Sequence, residues 1–343
     1  MRKLLNTLFV LTEDAYLALE NENIVVKQEE NVLGRVPLLT LENILYFGYK
    51  GASPFLMGEC AKRGIGLCFL STYGRFLARV CGENPGNVLL RKKQYKLSDD
   101  VEKSIDFARN FITGKIFNSR TVLERARRDH PMNIDGEKFL LVSNDLKAAV
   151  KAIRKVTDVD ALRGLEGNAA SLYFSVFDDL ILQNKKQFPF TGRSKRPPIG
   201  RVNALLSFAY TLLAHDCASA LESVGLDAYV GFMHTDRPGR ISLALDLMEE
   251  LRAVYADRFV VTLINNRVIK PADFDEKENG VTLLNDNGRK RFLQEWQEKK
   301  RETIMHPFLE EKISWGLVPY AQALLLARTI RGDLDEYPAF LWK

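Results

Sequence analysis

The chain has 343 residues, is 46% hydrophobic, and carries 49 Lys+Arg against 44 Asp+Glu for a formal net charge of +5. That length suits two domains or one large one, and the composition is that of a globular protein. The mild basicity permits nucleic-acid binding without demanding it. Cys60, Cys68, Cys81 and Cys217 form no C-x-x-C pair, so neither a zinc site nor a disulfide framework is indicated, and such usage suits a reducing cytosol.

Met1-Arg2-Lys3 precedes an apolar run, but Asn6 and Thr7 interrupt it and Glu13 and Asp14 follow. It reads as a first strand and not as a signal peptide. No run approaches the roughly 18 apolar residues that a membrane span needs. Short apolar segments at 8–11, 16–19 and 24–27 follow, with Asn21-Glu22-Asn23 as the turn of a hairpin between the last two. Residues 36–39 and 44–47 continue the strand pattern. Ser53 is placed to cap a short helix with Pro54 at its first position, ending near Gly64. Residues 65–70 and 76–80 flank Thr72-Tyr73-Gly74-Arg75, a second hairpin signal. The loop-like stretch Gly82-Glu83-Asn84-Pro85-Gly86-Asn87 marks a boundary between residues 1–86, a β-rich domain, and residues 87–343, a helical one. The expected fold class is α+β in two domains.

Beyond residue 90 the apolar period becomes helical. Residues 101–116 and 119–128 read as two amphipathic helices, followed by a loop at His130-Pro131. Further helices are expected over 138–155, 159–184, 201–224, 243–258, 289–301 and 319–331. The end, Tyr337-Pro338-Ala339-Phe340-Leu341-Trp342-Lys343, is too aromatic for a disordered tail and is expected to dock on a surface.

Chemistry concentrates in Gly231-Phe232-Met233-His234-Thr235-Asp236-Arg237-Pro238-Gly239-Arg240 and the acidic helix behind it. Asp246 and Glu249 are three apart, which puts them on one helical face about 5–6 Å apart at Cβ. Carboxylates in so apolar a run are costly to bury unless paired or metal-bound; pairing with Arg237, Arg240 or Arg252 is the alternative, and Glu250 reads as such a surface charge. His234 precedes the acids by twelve and fifteen residues, and the turn between can fold it back over the helix. One imidazole with carboxylates suits magnesium or manganese better than structural zinc; a satisfied structural histidine is the plainer reading. Glu166 lies among Gly164, Gly167, Ala169 and Ala170, small residues that admit a ligand or a tight helix crossing. Asp178 and Asp179, twelve residues or more along the expected helix from Glu166, or ~18 Å, read as a solvated face. His215 and Cys217 face different ways, while His130 and His306, each before a proline, look like loop residues. The segment from Lys185 to Pro198 is basic and holds Phe188 and Phe190; it suits phosphate tracking and base stacking, or a plain solvated loop.

Three runs together carry a resemblance: Leu165-Glu166-Gly167 with Ala169-Ala170; Arg196-Pro197-Pro198 leading into Asn203-Ala204-Leu205-Leu206-Ser207-Phe208-Ala209-Tyr210; and His234-Thr235-Asp236-Arg237-Pro238-Gly239 with 243–249 behind it. With Gly64-Ile65-Gly66-Leu67 and Phe69-Leu70-Ser71 upstream, nearly the whole chain resembles the CRISPR-associated spacer-acquisition integrase family, and the histidine run and aromatic tail look most like its subtype I-C branch. The resemblance implies a catalytic divalent-metal site, magnesium or manganese, made by Glu166, His234 and Glu249, with Asp246 as a neighbour or further ligand. It implies a homodimer built through the β-rich domain. A small ferredoxin-like CRISPR-associated partner and double-stranded DNA substrates, the spacer precursor and the CRISPR array, are implied with it. The expected reaction is endonucleolytic cleavage and insertion of short foreign DNA by 3′-hydroxyl attack on a phosphodiester, in antiviral defence. Arg193, Lys195, Arg196, Arg237 and Arg240 are the candidate DNA contacts, and the expected location is a prokaryotic cytoplasm with no membrane contact. A nucleic-acid scaffold with purely structural acids, or a repair nuclease for branched DNA, would fit the same residues without the resemblance.

Overall fold

The structure is a computed structural model that describes residues 7–12, 14–72, 76–82, 88–195 and 197–342. The turn residues 73–75, most of the proposed boundary loop and Arg196 lie outside the described residues. Two compact units are present, Met1–Gly86 with Leu284–Glu302, and Asn87–Leu283 with Thr303–Lys343. The first unit thus takes in the segment Leu284–Glu302, which a single cut after residue 86 assigns to the helical part.

In the first unit the strands β1 (Thr7–Val10), β5 (Asn43–Phe47), β6 (Gly66–Leu70) and β7 (Phe76–Arg79) form one sheet in that order, and β2 (Ala15–Glu20), β3 (Asn23–Gln28) and β4 (Asn31–Pro37) form another. The β2–β3 turn places Asn21 and Glu22 at φ 48° and 62°, the left-handed pair of a type I′ hairpin. The pairs β1–β5 and β5–β6 are parallel. The β5–β6 crossover is made by α1 (Pro54–Arg63), whose first turn is capped by Ser53 Oγ accepting from Leu56 N at 3.2 Å and whose end is Gly64 at φ 68°. Leu17, Ile24, Leu38, Ile44, Tyr46, Leu56 and Leu67 make the core. Phe292 and Trp296 of a helix at Asp286–Arg301 are buried in the same unit.

The second unit is built on α2 (Val88–Asp99), α3 (Val101–Asp129), α4 (Gly136–Ile153), α5 (Val159–Ser175), α6 (Arg201–Ser223), α7 (Ser242–Glu249) and α8 (Arg258–Asn265). With α9 given to the segment at Asp286–Arg301, the last helix is α10 (Val318–Arg331). Where two helices were expected, α3 is continuous, because Asn118 interrupts the apolar period without breaking the backbone and is itself buried. The helix expected to reach 184 stops at Ser175, and Asp178 and Asp179 fall on a 3-10 turn, Phe177–Leu180. Asp178 accepts from Phe190 N at 2.9 Å, and both aspartates pair with Lys185, so they anchor the next loop and are no solvated helix face. The acidic helix expected over 243–258 is also divided: α7 ends at Glu249, and a π-helical stretch, Arg252–Asp257, precedes α8. By length and composition α6 is apolar enough to cross a membrane, but it is mostly buried inside this unit.

Candidate functional site

The loop between α6 and α7 is fixed before it presents any chemistry. Gln94 Nε2 donates to Val230 O at 2.9 Å, Ser98 Oγ to Gly231 O at 2.6 Å, and Ser104 Oγ to Phe232 O at 2.9 Å. Phe232 stacks on Phe107 with centroids 4.3 Å apart. Arg163, one turn before Glu166 on α5, donates to Met233 O at 2.9 Å and Thr235 Oγ1 at 2.8 Å, tying that helix to the histidine loop.

Asp246 completes the loop. Its Oδ2 accepts from Phe232 N at 2.7 Å and Met233 N at 3.0 Å; its Oδ1 accepts from His234 N at 3.0 Å and meets His234 Nδ1 at 2.6 Å. Both Asp246 oxygens are thus engaged by donors of the loop, and one of them meets the imidazole directly. A carboxylate surrounded by amide donors accepts from Nδ1–H, which makes Nε2 the nitrogen with a free lone pair. That Nε2 lies 4.0 Å from Glu249 Oε1.

Glu249 is the last residue of α7 and its side chain is only 4% exposed. Arg252, the first residue of the π-helical stretch, reaches back to Glu249 Oε1 at 3.1 Å, and Lys115 Nζ of α3 lies 2.7 Å from Oε2. Burial raises the Glu249 carboxyl, but Arg252, Lys115 and His234 outweigh it and hold it down at about 2. Lys115 also contacts Glu166. Among the described residues no three His, Cys, Asp or Glu side chains converge as a ready-made cation cage. The structure instead sets Glu166 and Glu249 on either side of a lysine ammonium, with His234 beside Glu249.

Arg252 is one of the three arginines that the pairing alternative named, and it does pair with Glu249; Lys115 was not anticipated. The signal was present for Lys115, which falls in the buried stripe Phe111, Ile112, Ile116, Ser119 and Val122 of α3, where an unpaired lysine is not stable. Glu250 also departs from expectation. It is fully buried, accepting from Tyr337 Oη at 2.5 Å, Gln322 Nε2 at 2.8 Å and Phe340 N at 2.7 Å, and burial pushes its carboxyl up to about 7 against those hydrogen bonds. His306 is likewise buried, with Nε2 3.0 Å from Gln322 Oε1.

Of the candidate DNA contacts, Arg193 donates to Asn203 Oδ1 at 2.9 Å and Ser207 Oγ at 3.1 Å and lies over the Tyr210 ring. It lines a cavity with Lys115, Glu166, Lys195, Tyr210 and Arg252. Burial and the charges of Arg252 and Lys115 push the Lys195 ammonium down, as expected where cations crowd. Phe188 and Phe190 are buried against neighbouring aromatics, so they do not stack on bases. Arg237 is exposed and Arg240 partly so, on the turn that follows His234. Open space surrounds the Cβ positions of Gly164 and Gly167, which removes the reading of a tight helix crossing there.

A family model described as CRISPR associated protein Cas1 matches residues 8–298. The CRISPR-associated endonuclease Cas1 2 of Rhodospirillum rubrum is 51% identical over 347 residues, covering 100% of both chains. The CRISPR-associated endonuclease Cas1 1 of Chlorobaculum tepidum is 48% identical over 343 residues with the same full coverage. Among solved structures, one titled casposase bound to integration product matches with a TM-score of 0.84 at 20% identity, covering 99% of this chain and 95% of that one. The β-rich unit and the helical unit are thus those of a CRISPR-associated endonuclease. The chain belongs to the Cas1 family.

Proposed function

We propose that Glu166, His234 and Glu249 form a divalent-metal centre, magnesium or manganese, at which a DNA 3′-hydroxyl attacks a phosphodiester of a CRISPR array and inserts a short duplex. The observation that carries this reading is the Lys115 ammonium lying between Glu166 and Glu249: the two acids already share one cation. The residues suit a metal. Glu249 Oε2 is buried and accepts no hydrogen bond of good geometry despite the charge contact with Lys115, and one imidazole with two carboxylates is a hard-ion donor set. An ion held there would lower the pKa of the attacking hydroxyl and polarise the phosphoryl oxygen.

The protein's own groups do the rest. Asp246 holds the imidazole in one tautomer and orientation. Arg252 pins Glu249 in its ionised form. Lys115, Lys195 and Arg193 supply positive charge to the cavity beside Glu166, where a phosphodiester gathers negative charge in its transition state. Arg237 and Arg240, on the turn after His234, are assigned to the scissile phosphate, and Arg196 to the DNA backbone. Water in place of the 3′-hydroxyl gives hydrolysis, so a single centre serves cleavage and joining. On the family resemblance we further assign a homodimer formed through the β-rich domain, a small ferredoxin-like partner, a cytoplasmic location and the subtype I-C branch.

The test is a strand-transfer assay with a labelled short duplex and a CRISPR-array target, with and without magnesium or manganese and the small partner. Loss of product in Glu166→Ala, His234→Ala and Glu249→Ala is expected. Undiminished transfer in all three would leave a DNA-binding scaffold, whose acids merely neutralise Lys115, as the better reading.

A further inference from the structure

On the side of α7 away from His234, residues 333–342 are strapped across the helical unit. Tyr337, Phe340 and Trp342 are buried, so the segment is part of the core and not an appended tail. Two polar residues hold it. Glu250, next to Glu249, takes the Tyr337 hydroxyl and the Phe340 amide. Asn118, one turn after Lys115 on α3, donates to Phe340 O at 2.6 Å and to Glu250 O at 2.6 Å, and accepts from Trp342 N at 2.9 Å. The Trp342 ring lies between Arg125 of α3 at 4.1 Å and Arg258 of α8 at 4.3 Å. One segment therefore bonds the two helices that carry Lys115 and Glu249, at positions adjacent to both.

A second observation is independent of those bonds. Gly114, beside Lys115, faces Glu250 and the strap so closely that a Cβ there would lie 2.8 Å from Glu250 Cβ and 3.4 Å from Ala339 Cβ. The approach of α3 to α7 is thus set to van der Waals contact on the strap side. The strap also lies past residue 298, where the family match ends.

We infer that the C-terminal strap is a positioning element of the reaction centre: by holding both Asn118 and Glu250 it reinforces the direct bond between them and so helps fix how far Lys115 of α3 stands from Glu249 of α7. The inference rests on Glu249 belonging to that centre. Loosening the strap lets α3 and α7 separate, and a displacement of about 1 Å at reacting groups can lower a rate on the order of 100-fold while leaving DNA contacts elsewhere unchanged.

The experiment compares full-length Tyr337→Phe, Trp342→Ala and Gly114→Ala with wild type and with Glu249→Ala. Strand-transfer kcat and KM for duplex DNA are measured at saturating manganese, and far-ultraviolet circular dichroism confirms that each variant is folded. The expected result is a kcat lower by roughly 10- to 100-fold with KM unchanged, the pattern of a group that orients another. Wild-type kcat in folded Tyr337→Phe and Trp342→Ala would overturn the inference whatever Gly114→Ala does, and so would a raised KM at unchanged kcat, which would make the strap a DNA contact. If Glu249→Ala itself keeps wild-type kcat, it is the assignment of the centre that fails. If Glu249→Ala is inactive and the strap variants are not, only the strap fails.

Discussion

Lys115 Nζ stands 2.7 Å from Glu249 Oε2 and also contacts Glu166, so one ammonium from α3 joins acids carried by α7 and α5. A lysine in that place does two things at once. It neutralises the buried Glu249 and the partly exposed Glu166, and at the proposed metal centre it would compete with the ion.

Lys115→Gln separates these effects. Removing one partner of a buried ion pair typically costs about 3–5 kcal/mol; here Arg252 still pairs with Glu249, so the expected loss of folding stability in metal-free buffer is about 2 kcal/mol. Without the competing charge, manganese should bind the variant more tightly than wild type. Thermal unfolding with and without manganese checks both: the variant should start lower and gain more. A variant that starts lower and gains nothing would tie Lys115 to the fold alone.

Asp246→Asn is expected to be severe although it changes only one atom. The carboxylate accepts three backbone amides and His234 Nδ1, whereas a carboxamide offers a single acceptor oxygen and turns an NH2 toward donors. A buried group left in conflict costs about 1–3 kcal/mol, more where charge is involved. Loss of the group that orients a histidine costs about 10- to 100-fold in metal affinity or activity. Denaturant unfolding and the cleavage rate measure the two losses separately.

Two glycines near the site should respond oppositely to alanine. At Gly231 a Cβ would lie 2.8 Å from Asp246 Oδ2 and 3.0 Å from the backbone carbon of Ser242; such overpacking costs about 1–3 kcal/mol, and cleavage should fall with it. At Gly164 nothing lies within 4 Å of the added carbon, and in a helix alanine is favoured over glycine by about 1 kcal/mol. Melting temperatures of the two variants should move in opposite directions.

Much of this was legible in the chain because caps, turns and periods are local. Ser53-Pro54 and Gly64 bounded α1, and Asn21-Glu22 marked the β2–β3 turn. The loop of His234 and the face of Asp246 and Glu249 were readable from spacing, and the family motifs added Glu166. What spacing leaves out is the far side of an element. Glu250 looked like a surface charge with arginines close by in sequence, yet it is covered by the strap, whose Tyr337 and Phe340 lie 87 and 90 residues on. By spacing alone Asp246 and Glu249 looked equivalent; the resemblance favoured Glu249 as the ligand, and spacing could not show the three inward amides that Asp246 accepts. Phe188 and Phe190 read as stacking platforms because a basic run surrounds them, but their rings join Phe177 and Phe274 in the core.

Asp257 gives the pH dependence of stability a definite sign. It closes the π-helical stretch, is almost fully buried, and accepts from Tyr210 Oη at 2.6 Å. Burial raises its carboxyl from 3.8 to about 6, against the lowering effect of Tyr210, Arg252 and Arg193. Between those values the folded state keeps a proton that the unfolded chain has released. Its contribution is therefore present below about pH 4 and is lost as pH rises toward 6. Each pH unit is worth about 1.4 kcal/mol, so the fall totals roughly 3 kcal/mol. Glu249, held down at about 2, acts in the opposite sense at lower pH, its contribution being lost as pH falls from 4.5 toward 2. Asp257→Asn cannot titrate, so its denaturant-derived stability, relative to wild type, should rise with pH between 4 and 6. A constant difference between the two proteins across that range would mean that Asp257 is ionised throughout, held so by Arg193 and Arg252.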